Sequence, residues 1–151
     1  MIRAPRTASL LGLILAVCLA EPTFAQRARK PKEIAVIAND YTFLPLPATI
    51  FAGPTIFSFA NHGKVTHEVA IGRLKPGATV EEFAEADAPG RRDAIERSVG
   101  ILVAGPGKAP DGQILVDLRK GSTYVVFCNL RNTPDAPGHL TLGMYTSFTA
   151  R

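Results

Sequence analysis

The run "FCNLRNTPDAPGHLTLGM", residues 127–144, places Cys128, His139 and Met144 close together in a chain that holds only two cysteines and two methionines. Thiolate, imidazole and thioether are soft or borderline donors, so the run can supply part of a metal site. His67, far upstream in "THEVAIGRL", is a further candidate donor, and His62 in "NHGK" is a back-up. Each residue also has an ordinary reading: a hydrogen-bonded strand histidine, a core methionine, a small buried thiol. A nucleophilic pair of Cys128 with His67 or His139 is a second chemistry. It suits the context poorly, because catalytic thiols favour a helix start or a similar electropositive spot, and Cys128 reads as an inward-facing residue at a strand end. Glycine-rich phosphate loops, a Gly-x-Ser-x-Gly elbow and paired CxxC spacing are all missing from the sequence, so no enzyme is expected.

The elements that must position these residues begin beyond the first segment. Arg3 and Arg6, the apolar "SLLGLILAVCLA" and the small residues Thr23 and Ala25 make residues 1–25 read as a secretory signal peptide. The apolar run is shorter than the roughly 20 residues a spanning helix needs. Val17 before Cys18 is a poor lipoprotein box, so lipidation is not expected. The expected location is periplasmic or secreted. Export leaves Cys128 unpaired, and a lone cysteine in oxidising surroundings is free, bridged to another chain or bound to a metal. Residues 26–32, with Arg27, Arg29, Lys30 and Lys32, read as a flexible basic tail that offers a weak means of contact with a membrane surface. The net charge of +4 is spread too evenly for a nucleic-acid binder.

Residues 33–151 suffice for one domain. Short apolar runs punctuated by Gly, Pro and Asn dominate it. "KEIAVIAND" and "YTFLPLPATIFAG" read as an opening pair of strands, with Pro45 and Pro47 forcing an edge or bend. "TIFSFANHG" and "THEVAIGRL" alternate with period two and read as neighbouring strands joined by a tight connection. "GQILVDLRKG", "STYVVFCNL" and "GMYTSFTA" follow as later strands, with Tyr124, Val126 and Cys128 on one face. Between them, one or two short helices are expected around residues 78–98, opened by a Thr79–Glu82 capping box and broken at Ala88-Pro89-Gly90. The fold class is all-β: a Greek-key antiparallel sandwich.

If the strands of His67 and Cys128 run antiparallel as neighbours, His67, Cys128, His139 and Met144 meet at one pole. Two imidazoles, a thiolate and a weak axial thioether form the blue-copper ligand set. Zinc is the rival for two histidines and a cysteine, although a structural zinc site prefers a fourth ligand other than methionine.

The ordered segments "FANHGKVTHEV", "GSTYVVFC" and "HLTLGM" resemble the cupredoxins, the plastocyanin–azurin family of small blue copper proteins. The resemblance spans most of residues 33–150. It implies an eight-strand-like Greek-key sandwich, one copper (Cu+/Cu2+) per chain, and one-electron exchange with redox partner proteins or copper-handling proteins. By position it gives His67, Cys128, His139 and Met144 the ligand roles. Two features depart from the family pattern. Ten residues, "NLRNTPDAPG", separate Cys128 from His139 where the family has only a few. Glu68 follows the first histidine where the simplest members carry Asn, whose side chain ties the ligand loops together. Copper delivery or sequestration is one alternative, and the chain lacks the Met- or His-rich loop it would use. A metal-free interaction module is the other, and the long loop favours it.

Overall fold

The computed structural model describes residues 30–151. The expected signal peptide, Cys18, Arg27 and Arg29 lie outside the described residues. Strand β1 (Lys32–Asn39) takes up the "KEIAVIAN" part of the first expected strand, and the Lys32 ammonium lies over the Phe51 ring. Ile34, Val36 and Ala38 point inward along β1 with period two. Strand β4 (Gly53–Asn61) does the same with Thr55, Phe57 and Phe59, and the alternation carries Asn61 into the interior at its end. Between them lie the two-residue strands β2 (Thr42–Phe43) and β3 (Thr49–Ile50), separated by the Pro45–Pro47 stretch, which is not strand.

The remaining elements are β5 (His67–Leu74), α1 (Val80–Glu85), α2 (Ala88–Ala94), β6 (Ile95–Ala104), β7 (Ile114–Leu118), β8 (Thr123–Phe127), a 3-10 turn (Leu140–Leu142) and β9 (Tyr145–Ala150). The strands form two layers, ordered β2-β1-β4-β7 and β3-β9-β8-β5-β6. The core between the layers centres on a run of stacked rings. Phe57 of the first sheet lies 5.7 Å from Phe148 of the second, and Phe148 lies 5.1 Å from Tyr124. A smaller cluster of Leu74, Phe83, Val125 and Leu140 fills the space between the second sheet and α1.

The capping box forms as expected, with Thr79 Oγ1 accepting from Glu82 N–H and Glu82 Oε2 accepting from Thr79 N–H. The helix break falls at Ala86–Asp87. Asp87 caps α2, and Pro89 lies in its first turn, where a missing N–H costs nothing.

Three expectations need correction. First, the sandwich is not purely antiparallel, because β1–β4 and β3–β9 pair in parallel. The β2–β3 excursion takes the chain across to the edge of the other sheet, so β4 sets out alongside β1 in the same direction. Second, β4 and β5 are not neighbours but belong to different sheets. The link between them is a corner joining the layers, braced by Asn61, whose Nδ2 donates to Val65 O at 2.8 Å and whose Oδ1 accepts from Gly63 N–H. Third, residues 95–104 form a full edge strand, β6, that the sequence reading did not place.

Candidate metal centre

Strands β5 and β8 are antiparallel neighbours, with Ala70 opposite Phe127, so the start of one and the end of the other share a pole. His67 opens β5 and Cys128 follows β8. The ten-residue loop does not separate the donors, because His139 N–H donates to Leu130 O at 2.7 Å. That bond pinches off residues 131–138 as a side excursion and brings His139 back beside Cys128. The following turn ends at Gly143, whose φ of 97° is a left-handed conformation suited to glycine. Met144 is then fixed from both sides: its N–H donates to His139 O and its carbonyl accepts from Cys128 N–H. Its side chain is fully buried in the main core.

His67, Cys128 and His139 form one buried cluster with donor atoms within 4.8 Å of one another. His67 Nδ1 lies 3.2 Å from His139 Nδ1, which in turn lies 3.3 Å from Cys128 Sγ. The outward nitrogens face acceptors. His139 Nε2 lies 3.0 Å from Asn132 Oδ1. His67 Nε2 is buried without a hydrogen-bond partner, and the Asp40 carboxylate is 3.6 Å away. Assigning protons from these partners puts N–H on both Nε2 atoms and turns both Nδ1 lone pairs inward. The two Nδ1 lone pairs facing each other at 3.2 Å repel unless a cation lies between them, and the Cys128 sulfur lies beside them. Donors at this spacing can both reach one ion at roughly 2 Å, the usual first-row metal–nitrogen bond. The residues therefore fit a bound metal.

Electrostatics point the same way. Burial pushes the Cys128 thiol up and holds the His67 and His139 imidazoles down, so without a metal the cluster favours its neutral forms. The hydrogen bond from Lys64 N–H, helped by the nearby His67 ring, holds the Asp40 carboxyl below its ordinary value. A nucleophilic Cys128–His139 pair is geometrically available, but Cys128 is wholly buried. A cavity of about 430 Å³ on the outer face of the second sheet is lined by Glu68, Phe83 and Phe127, among others, and not by the three donors.

The other expected residues fall as follows. His62 is exposed in the corner, outside the cluster. Glu68 ties the ligand loops together with a carboxylate: Oε1 accepts from Asn129 N–H at 2.7 Å, while Glu68 N–H points at Cys128 Sγ at 3.4 Å. Gly63 lets the corner pack against the site, because a Cβ there would lie 2.5 Å from Asp40 Oδ1 and 3.0 Å from His67 Nε2. Asp40, Tyr41 and Asn132 were not legible as site residues. Their contacts are long-range, and no local pattern marks them.

The layered sheets and the pole where β5 meets β8 define a cupredoxin fold, and the donors clustered there are two imidazoles and one thiol, a set that suits copper. No family model and no curated protein matches the sequence. Among solved structures, the chain is similar to dithionite-reduced auracyanin from the photosynthetic bacterium Roseiflexus castenholzii. They share 19% identity over 80% of this chain and 97% of that one, with a TM-score of 0.56. It is also similar to auracyanin A, described as a "blue" copper protein of Chloroflexus aurantiacus, at 16% identity over 81% of this chain and 100% of that one, with a TM-score of 0.55. At such identities the likeness speaks to the fold.

Proposed function

We propose that this protein is an exported one-electron carrier that holds one copper through His67, Cys128, His139 and Met144. One observation carries the reading: two imidazole Nδ1 atoms and a thiol sulfur converge in a buried pocket on paired β strands. When bound, copper would cycle between a sulfur-favouring reduced state and an imidazole-tolerating oxidised one. The protein's part is to hold one geometry for both. His67 and Cys128 are anchored on paired strands, Met144 is tied to both neighbouring ligand residues, and burial excludes water. The donors' burial also favours a carrier over a delivery protein, which must expose its ion to hand it on. Export to the periplasm or beyond follows from the N-terminal pattern. Soluble redox proteins are the partners this reading calls for.

The test is to add copper(II) to the purified protein. An intense visible thiolate-to-copper band, one copper per chain and reversible one-electron cycling are expected. A colourless protein with a freely titrating thiol would overturn the reading.

Glu68 should set the potential. Glu68→Gln keeps an oxygen for Asn129 N–H and removes a negative charge beside Cys128. Negative charge favours the more positive oxidised state, so the variant's reduction potential rises. A coupling of about 1–2 kcal/mol corresponds to roughly 50–100 mV for one electron. Voltammetry of wild type and variant checks this, and an unchanged or lower value counts against it.

A further inference from the structure

We infer that Asn132 and Tyr41 form a latch that closes the His139 edge of the site, and that the excursion 131–138 serves to deliver Asn132 there. The inference deepens the copper-site reading by giving a role to the loop that departs most from the family pattern.

The excursion is braced from within and at its neck. His139 N–H closes it on Leu130 O, Ala136 N–H donates to Thr133 O, and Arg131 Nη1 donates to Pro134 O. This holds Asn132 where both halves of its amide are used. Oδ1 lies 3.0 Å from His139 Nε2, and Nδ2 donates to Tyr41 Oη at 2.7 Å. Tyr41 comes from the other side of the pole, in the turn between β1 and β2. Its ring meets His139 edge-to-face at 5.1 Å and 73°, and His67 at 6.0 Å and 89°. Among the described residues Tyr41 is the one non-glycine with positive φ, at 60°. A non-glycine residue persists in that conformation where its surroundings over-determine it, and such positions cluster at functional sites. Here those surroundings include two imidazoles and an amide.

The latch explains why His139 is only 1% exposed although the residue that covers its Nε2, Asn132, lies on the surface. It also fixes the His139 tautomer, since an acceptor at Nε2 requires the proton there and leaves Nδ1 free to face Cys128. A partner docking at this pole therefore meets the Tyr41 phenol and the Asn132 amide instead of an imidazole edge.

The test uses the full-length, copper-free protein, so it stands or falls apart from copper binding. Diethylpyrocarbonate acylates accessible neutral imidazoles, and mass spectrometry assigns the modified residue. In wild type, exposed His62 reacts fast and His139 slowly. Asn132→Ala removes both amide hydrogen bonds from the closed state and should speed His139 roughly five- to a hundredfold. Tyr41→Gly removes the ring at a position whose φ glycine adopts freely, so the fold is retained, and His139 should react more than about tenfold faster. His67, behind Asp40, should keep its wild-type rate in Asn132→Ala. The latch is overturned if wild-type His139 reacts as fast as His62. It is also overturned if neither variant changes the His139 rate, or if Asn132→Ala speeds His67 and His139 alike.

Discussion

Replacing Cys128 with serine removes the visible absorption of the copper-loaded protein completely and leaves the fold in place. The band depends on a thiolate bonded to copper, and a serine hydroxyl neither ionises readily nor offers a soft donor. The surroundings tolerate the change. Glu68 N–H, which points at Sγ, finds an acceptor in the serine oxygen, and the backbone bond from residue 128 to Met144 O does not involve the side chain. The apolar pocket imposes a small cost, about 1–2 kcal/mol for a hydroxyl with partial compensation. Far-ultraviolet circular dichroism should therefore match wild type while copper binding falls steeply. A variant that kept the band would remove Cys128 from the ligand set. A variant that lost its fold would make Cys128 mainly a packing residue.

The sequence disclosed the ends of this site more readily than its surroundings. His67, Cys128 and His139 stand at strand starts, strand ends and turns, where period-two patterns stop, and their residue types carry metal chemistry by themselves. The capping box was legible because both of its partners lie within one turn. The β4–β5 connection reads as a hairpin because a tight hairpin and a corner between sheets look alike locally. What distinguishes them is Asn61 Nδ2 reaching Ala104 O, forty-three residues away. Strand β6 was invisible for a different reason. It is an edge strand whose pairing with β5 slips at two points, so Glu96, Arg97 and Ser98 break the alternation, and Ile101 and Val103 face outward at 58% and 49% exposure. Tyr41, Asp40 and Asn132 reach the imidazoles through tertiary contacts alone. The loop that departs most from the cupredoxin pattern is pinched off at its neck, which no spacing count can show.

The second large effect concerns the core that holds this pole rigid. Phe148→Ala should destabilise the protein by about 3–5 kcal/mol, the range for removing a buried phenylalanine. Phe148 is 2% exposed and lies between Phe57 of the opposite sheet and Tyr124 of its own. Its removal takes away buried apolar area, leaves a cavity between the layers and ends two ring contacts, each worth roughly 0.5–1.5 kcal/mol beyond burial. Neighbouring groups cannot easily collapse into the space. Tyr124 is held at its far end, where its hydroxyl accepts from Arg119 N–H at 2.9 Å, and Phe57 is fixed in the register of β4 against β7. Against a typical total stability of 5–15 kcal/mol the loss is large. Urea denaturation should show a lower midpoint with an unchanged slope. Copper should restore part of it, because an ion bound only by the folded state stabilises that state by mass action. A loss below about 1 kcal/mol would mean that the sheets repack across the gap and that the ring stack does not fix their spacing. The same strand, β8, carries Tyr124 in the stack and leads directly to Cys128, so core stiffness and ligand placement are coupled through four residues of extended chain.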